Sequence, residues 1–137
     1  MTVEELAAEV LDACDAESAE HMLTGAFATG AYGIPRSTKD VDVVLSMKGG
    51  DSIRRVATRL DNVVQFDPQI QFDTLTWGQR LVGLARQSPP LKVELFELFD
   101  DPFVQEQFCR RRRMFSGQLK RETWLPTPED VVVQKLR

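Results

Sequence analysis

Hydrophobic and polar positions along this chain switch repeatedly between a helical and an extended period. Val3, Leu6, Ala7, Val10, Leu11 and Cys14 recur at three- and four-residue spacing and form the apolar stripe of a first helix. Thr2 caps it, and Glu5 completes a capping box. His21 to Thr24 reads as a short strand, Gly25-Ala26 as a tight turn, and Phe27 to Tyr32 as a small-residue helix opening from that turn. From Asp40 the period becomes two: Val41, Val43 and Leu45 share one face of a strand, and Asp40 and Asp42 share the other.

Gly49-Gly50 breaks the chain, and Asp51 or Ser52 caps a helix whose apolar face is Ile53, Val56, Ala57 and Leu60. Val63 to Phe66, Arg80 to Gln87 and Leu91 to Leu98 read as strands, the last two paired as a hairpin around Pro89-Pro90. Asp101-Pro102 starts a helix with Phe103 and Phe108 on its buried side. Ser116-Gly117 marks a second hairpin between Arg112 to Phe115 and Gln118 to Trp124, and Thr127-Pro128-Glu129-Asp130 opens a last helix. The order predicts an α/β (α+β) fold, a small mixed β-sheet flanked by helices, as a single domain over residues 1–137.

The candidate chemistry lies on the strand that carries Asp40 and Asp42. Two ionised carboxylates side by side repel, so the pair suits a cation between them. Magnesium, or manganese in its place, is the natural choice, because it takes oxygen ligands from one or two carboxylates and substrate phosphates. The ordinary alternative is a solvated strand face. The upstream Gly25 turn adds to the first reading, since strand, glycine turn and helix N-terminus aim backbone N–H groups at an anion. Its ordinary alternative is a glycine kept for close packing. In Leu91 to Leu98, Val93 and Leu95 alternate against Lys92, Glu94 and Phe96, so Glu94 leaves the core face and can meet the aspartates. Arg110 to Arg113 is a run of four cations, read either as a solvated helix end or as a phosphate or RNA patch.

Composition narrows the function classes. With 137 residues, 42% hydrophobic, the chain can build one core. Cys14 and Cys109 lie far apart and no signal segment opens the chain, which points to a reducing, cytoplasmic setting. No apolar run approaches the roughly 20 residues that span a membrane. A lone His21 and unpaired cysteines argue against zinc, and no nucleophile elbow supports a serine hydrolase. The net charge of -4 argues against nucleic-acid affinity over the whole surface and leaves a local basic patch open.

Gly25-Ala26 followed by Arg36-Ser37-Thr38-Lys39-Asp40-Val41-Asp42 resembles the nucleotidyltransferase superfamily, the DNA-polymerase-beta-like group, and within it the small bacterial AbiEii toxin-like enzymes. The likeness continues through Lys92-Val93-Glu94-Leu95-Phe96 and Pro126 to Leu136, nearly the whole length. It implies the nucleotidyltransferase fold and magnesium-dependent transfer of a nucleotide from an NTP to a hydroxyl of RNA, tRNA included, or of protein, in a toxin-antitoxin-like setting with a cognate antitoxin as partner. By the same resemblance Asp40, Asp42 and Glu94 are catalytic and metal-binding, Glu94 serving as third ligand and as base for the acceptor hydroxyl. Gly25, Ala26, Arg36, Lys39 and Lys135 would contact the nucleotide. The family carries further helices after the segment matching Lys135, so this chain is expected to lack a C-terminal helical extension and with it the acceptor-binding half, either as a shortened natural form or as a truncated piece. Two positions depart from the family pattern: Ala26 replaces the usual serine, and Glu94 the usual third aspartate. They admit an alternative, a catalytically silent nucleotide-binding or protein-interaction module of the same fold.

Overall fold

A computed structural model describes residues 1–33, 38–48, 50–68, 71–72, 79–98 and 101–135, with backbone alone for 71–72 and 132–135. Helix α1 (Val3–Ala16) begins at the expected capping box: Glu5 N–H donates to Thr2 Oγ1 at 3.1 Å and Thr2 N–H donates to Glu5 Oε1 at 3.0 Å. Strand β1 (His21–Thr24) runs directly into α2 (Gly25–Ala31), so the second helix starts at Gly25 itself rather than at Phe27. Strand β2 (Asp40–Leu45) precedes α3 (Ser52–Arg59), which Asp51 caps by accepting from Arg54 N–H at 3.1 Å. Strands β3 (Val64–Phe66), β4 (Gln71–Phe72), β5 (Gln79–Ala85) and β6 (Lys92–Glu97) follow. Helix α4 (Pro102–Cys109), strands β7 (Arg112–Ser116) and β8 (Arg121–Leu125), and α5 (Pro128–Lys135) complete the order.

The main sheet is mixed, in the order β1-β2-β6-β5-β3, with β4 also paired to β5. β2 and β6 are parallel neighbours, and every other pairing in this sheet is antiparallel. β7 and β8 form the separate hairpin expected from Ser116-Gly117. Strand β4 was not expected, because two residues are too few to show a period.

One sheet face supplies the core. Leu23, Val41, Val43, Leu45, Val64, Leu81, Val93 and Leu95 are buried against Leu6, Val10 and Cys14 of α1 and Ile53 and Val56 of α3. Among the described residues the opposite face is covered at one end, where Phe108 of α4 packs with Met22, Val44 and Leu98. Phe103, expected on the buried side of α4, is 43% exposed; Gln107 is buried beside Phe108 instead. Covering one end leaves the other end of that face for polar side chains.

Gly83 lets β3 close onto β5. A Cβ there would lie 2.6 Å from Phe66 Cδ1 and 2.7 Å from Val64 Cγ1. Gly83→Ala is therefore expected to destabilise the protein by about 1–3 kcal/mol through overpacking, measured as a lower midpoint in urea. A midpoint equal to the parent's would mean that Phe66 has room to swing away.

Candidate active site

Strand register assembles the acidic cluster. In the parallel pair β2–β6, Asp42 stands opposite Glu94 and Asp40 opposite Lys92. Neighbouring strands lie about 4.8 Å apart, so these side chains leave one face as adjacent rows. On the other flank of β2, Thr24 stands opposite Asp42, and the chain turns into α2 at the next residue. Gly25 has φ +67°, and a Cβ built on it would lie 2.2 Å from Asp42 Oδ2. The glycine thus has two reasons to be there, a left-handed backbone and the Asp42 carboxylate resting against its Cα. Thr24, at the cap position of α2, makes no side-chain capping bond, so the first-turn amides of that helix receive no acceptor from it.

Charge makes this arrangement costly for Asp42. Burial, then the neighbouring Glu94 and Asp40 carboxylates, push its pKa up to about 7, while Lys92 and Arg80 act in the opposite direction. Among the described residues no cation forms an ion pair with either aspartate side chain. Glu94 differs: it is 7% exposed, with Oε1 2.7 Å from Lys92 Nζ and Oε2 3.0 Å from Arg80 Nη1. The hydrogen bond to Glu94 also raises the pKa of Lys92. Arg80 reaches Glu94 because it pairs with Phe96 across β5–β6, two residues along the same face.

The structure therefore brings Asp40, Asp42 and Glu94 to one face beside Gly25 and Ala26. Lys39 is exposed just before β2, and its carbonyl accepts from Lys92 N–H at 2.8 Å. Arg36 lies outside the described residues, as does the side chain of Lys135 at the end of α5. Lys92 and Arg80 were missed as members of the site. Lys92 was within reach of the alternation that selected Glu94, and Arg80 required the hairpin register. Among the described residues no three acidic, histidine or cysteine side chains are gathered to hold one metal ion. The donor set at Asp40 and Asp42 nevertheless fits magnesium: hard oxygens, with no cation partner among the described residues, one of them destabilised as an anion, with phosphate oxygens to complete the shell.

The arginine run is neither a simple solvated end nor a free patch. Arg110 donates to both carboxylate oxygens of buried Asp130, at 2.8 and 3.2 Å. The Arg111 guanidinium lies 4.1 Å from the Phe108 ring centre and 4.5 Å from that of Trp124, and it donates to His21 O at 3.1 Å. These two arginines join α4 to α5, β8 and β1. Arg113 is exposed and paired with Glu122, and Arg112 is exposed.

Among the described residues no helix is long and apolar enough to cross a membrane. No protein-family model matches the chain, and no curated protein matches it. Solved structures do. A candidate nucleotidyltransferase from Thermotoga maritima superposes with a TM-score of 0.66 at 15% identity, covering 96% of this chain and 81% of that one. A candidate nucleotidyltransferase from H. pylori gives 0.60 at 17% identity, covering 97% of this chain, which spans 56% of that protein. The antibiotic-resistance factor ANT(2'')-Ia gives 0.59 at 12% identity, covering 96% of this chain and 68% of that one. At these identities it is the architecture that is shared, and this chain has the mixed α+β fold of the nucleotidyltransferases.

Proposed function

We propose that this protein transfers a nucleotide from a nucleoside triphosphate to a hydroxyl group on RNA or protein, with magnesium held by Asp40 and Asp42. The observation that carries the reading is the packing of the Asp42 carboxylate against Gly25, beside Glu94 and in the same strand as Asp40. It ties the phosphate turn and the acids into one unit. The first-turn amides of α2, at Gly25 and Ala26, would face the triphosphate, and Arg36, Lys39 and Lys135 are assigned further cationic contacts from the sequence resemblance alone. Magnesium bound there would offset the phosphate charge and line up the α-phosphorus with the acceptor. Glu94 is the third acid of the site. The AbiEii-like subfamily, the toxin-antitoxin setting with its antitoxin, and a cytoplasmic location belong to this proposal and rest on the sequence resemblance.

A labelled-nucleotide transfer assay with total RNA and with protein as acceptors tests it. Transfer by the parent is expected to require magnesium or manganese and to fall at least about a hundredfold in Asp40→Asn. Transfer that persists in the presence of a chelator would sink the proposal. One observation favours a second reading: both oxygens of Glu94 are committed to cations, an arrangement able to bind triphosphate without activating an acceptor. Calorimetric binding of nucleotide with no transfer to any acceptor supports that silent module.

A further inference from the structure

We infer that Lys92 is the site's own counter-cation: its ammonium, seated on Glu94 beside the two aspartates, opposes a divalent ion that arrives alone and yields to one that arrives with a phosphate-bearing ligand. Metal and nucleotide then load together. Resting on the nucleotidyl-transfer reading, this assigns the order of loading to a single residue of β6.

The sheet fixes the root of the lysine. Its N–H donates to Lys39 O at 2.8 Å, and in the parallel register it stands opposite Asp40, two residues along β6 from Glu94, which stands opposite Asp42. Its side chain therefore leaves the same face as all three acids. The ammonium lies 2.7 Å from Glu94 Oε1, and its charge also interacts with Asp40 and Asp42. Of the cations that favour the Asp42 anion, Lys92 acts most strongly. One ammonium thus serves a cluster of three carboxylates, and a second cation brought to the aspartates meets its repulsion.

Exposure makes the ammonium exchangeable. The Glu94 side chain is 9% exposed and that of Lys92 39%, so the acid is held within the face while the cation is open to a ligand. A lysine head on a flexible four-carbon stem can turn from a carboxylate to a phosphate oxygen without moving the strand that carries it. Metal-bound phosphate brings the negative charge that gives the ammonium this new partner, and the repulsion toward the metal is offset. A bare divalent ion brings no such charge. The preference of Lys92 for phosphate and its opposition to free metal are then one interaction, seen from two ligands.

Manganese alone, read by electron paramagnetic resonance, and the manganese–tripolyphosphate complex, read by calorimetry, are the probes, both at pH 8, with thermal melts confirming that each variant folds. Lys92→Met is expected to bind manganese alone about tenfold tighter than the parent, the scale of one charge at a half-exposed site, and to bind the tripolyphosphate complex no tighter. Lys92→Gln should behave in the same way, and Lys92→Arg, which keeps the charge, should bind manganese alone as the parent does. Affinity for manganese alone that is equal in the parent, Lys92→Met and Lys92→Gln overturns the inference. So does an equal gain for manganese alone and for its tripolyphosphate complex, because Lys92 would then have no link to phosphate. In either case a parent that still transfers nucleotide leaves the underlying reading standing. A parent that binds manganese in neither form removes both.

Discussion

Asp42→Asn will lose nucleotidyl transfer by about a thousandfold and, without metal, will melt several degrees higher than the parent at pH 8. Both effects have one cause. Burial and two neighbouring acids hold the Asp42 pKa at about 7, against an ordinary value of 3.8. The folded protein binds this proton more tightly than the unfolded chain does. Stability from this group is therefore unaffected below pH 4, falls as pH rises from about 4 to 7, and is level above that. The difference between 3.8 and about 7 corresponds to at most ~4 kcal/mol, and screening at a half-buried site reduces it to ~2 kcal/mol. Asparagine keeps the shape and removes the charge, so its advantage should be present at pH 8 and vanish near pH 4. Magnesium should stabilise the parent more as pH rises through 7, because cation and proton compete for the same oxygens, and should leave Asp42→Asn unchanged. Melting curves from pH 4 to 8 with and without magnesium decide it. A variant less stable than the parent at pH 8 would mean that the carboxylate is satisfied by protein groups and is not held ready for a cation.

Gly25→Ala is the second large effect. The added Cβ meets the Asp42 carboxylate at 2.2 Å, far inside van der Waals contact, and the backbone at φ +67° disfavours any L side chain. The expected cost is about 2–4 kcal/mol, together with loss of transfer, because Asp42 must move away from Asp40 and Glu94 for the helix to stay in place. Pairing the change with Asp42→Ala separates the two contributions. Removing the carboxylate relieves the clash but not the backbone strain, so the double variant should recover about 1–2 kcal/mol relative to additivity. Strict additivity would mean that the cost lies in the backbone and that Gly25 and Asp42 are not mechanically linked.

This link was not legible along the chain. Gly25 was recognised as a turn residue able to present amides to a phosphate. That it also makes room for Asp42, 17 residues later, depends on β1 and β2 lying antiparallel with Thr24 opposite Asp42. The expectation for Glu94 has a similar history. Alternation placed it on the face away from Val93 and Leu95, able to meet the aspartates, and register sets it opposite Asp42. Its burial under Lys92 and Arg80 follows from register, since Arg80 approaches only because β5 and β6 pair about Ser88. The arginine run shows the same limit: Arg110 and Arg111 are claimed by Asp130, Phe108, Trp124 and His21, partners scattered over the whole chain.

Period and punctuation along the chain sufficed for most of the elements: the capped α1, the β1 strand and glycine turn, the acidic face of β2, the hairpins, and the face of β6 that carries Glu94. Those features arise from neighbours within a few residues, where covalent spacing and the helical or extended repeat decide which side chains share a face. Folding alone settled which rows lie side by side, that Asp42 rests on Gly25, and that Glu94 is neutralised by two cations while the aspartates have no such partners among the described residues. Charge interactions depend on distance through space and on burial, and neither exists until β2 and β6 come together.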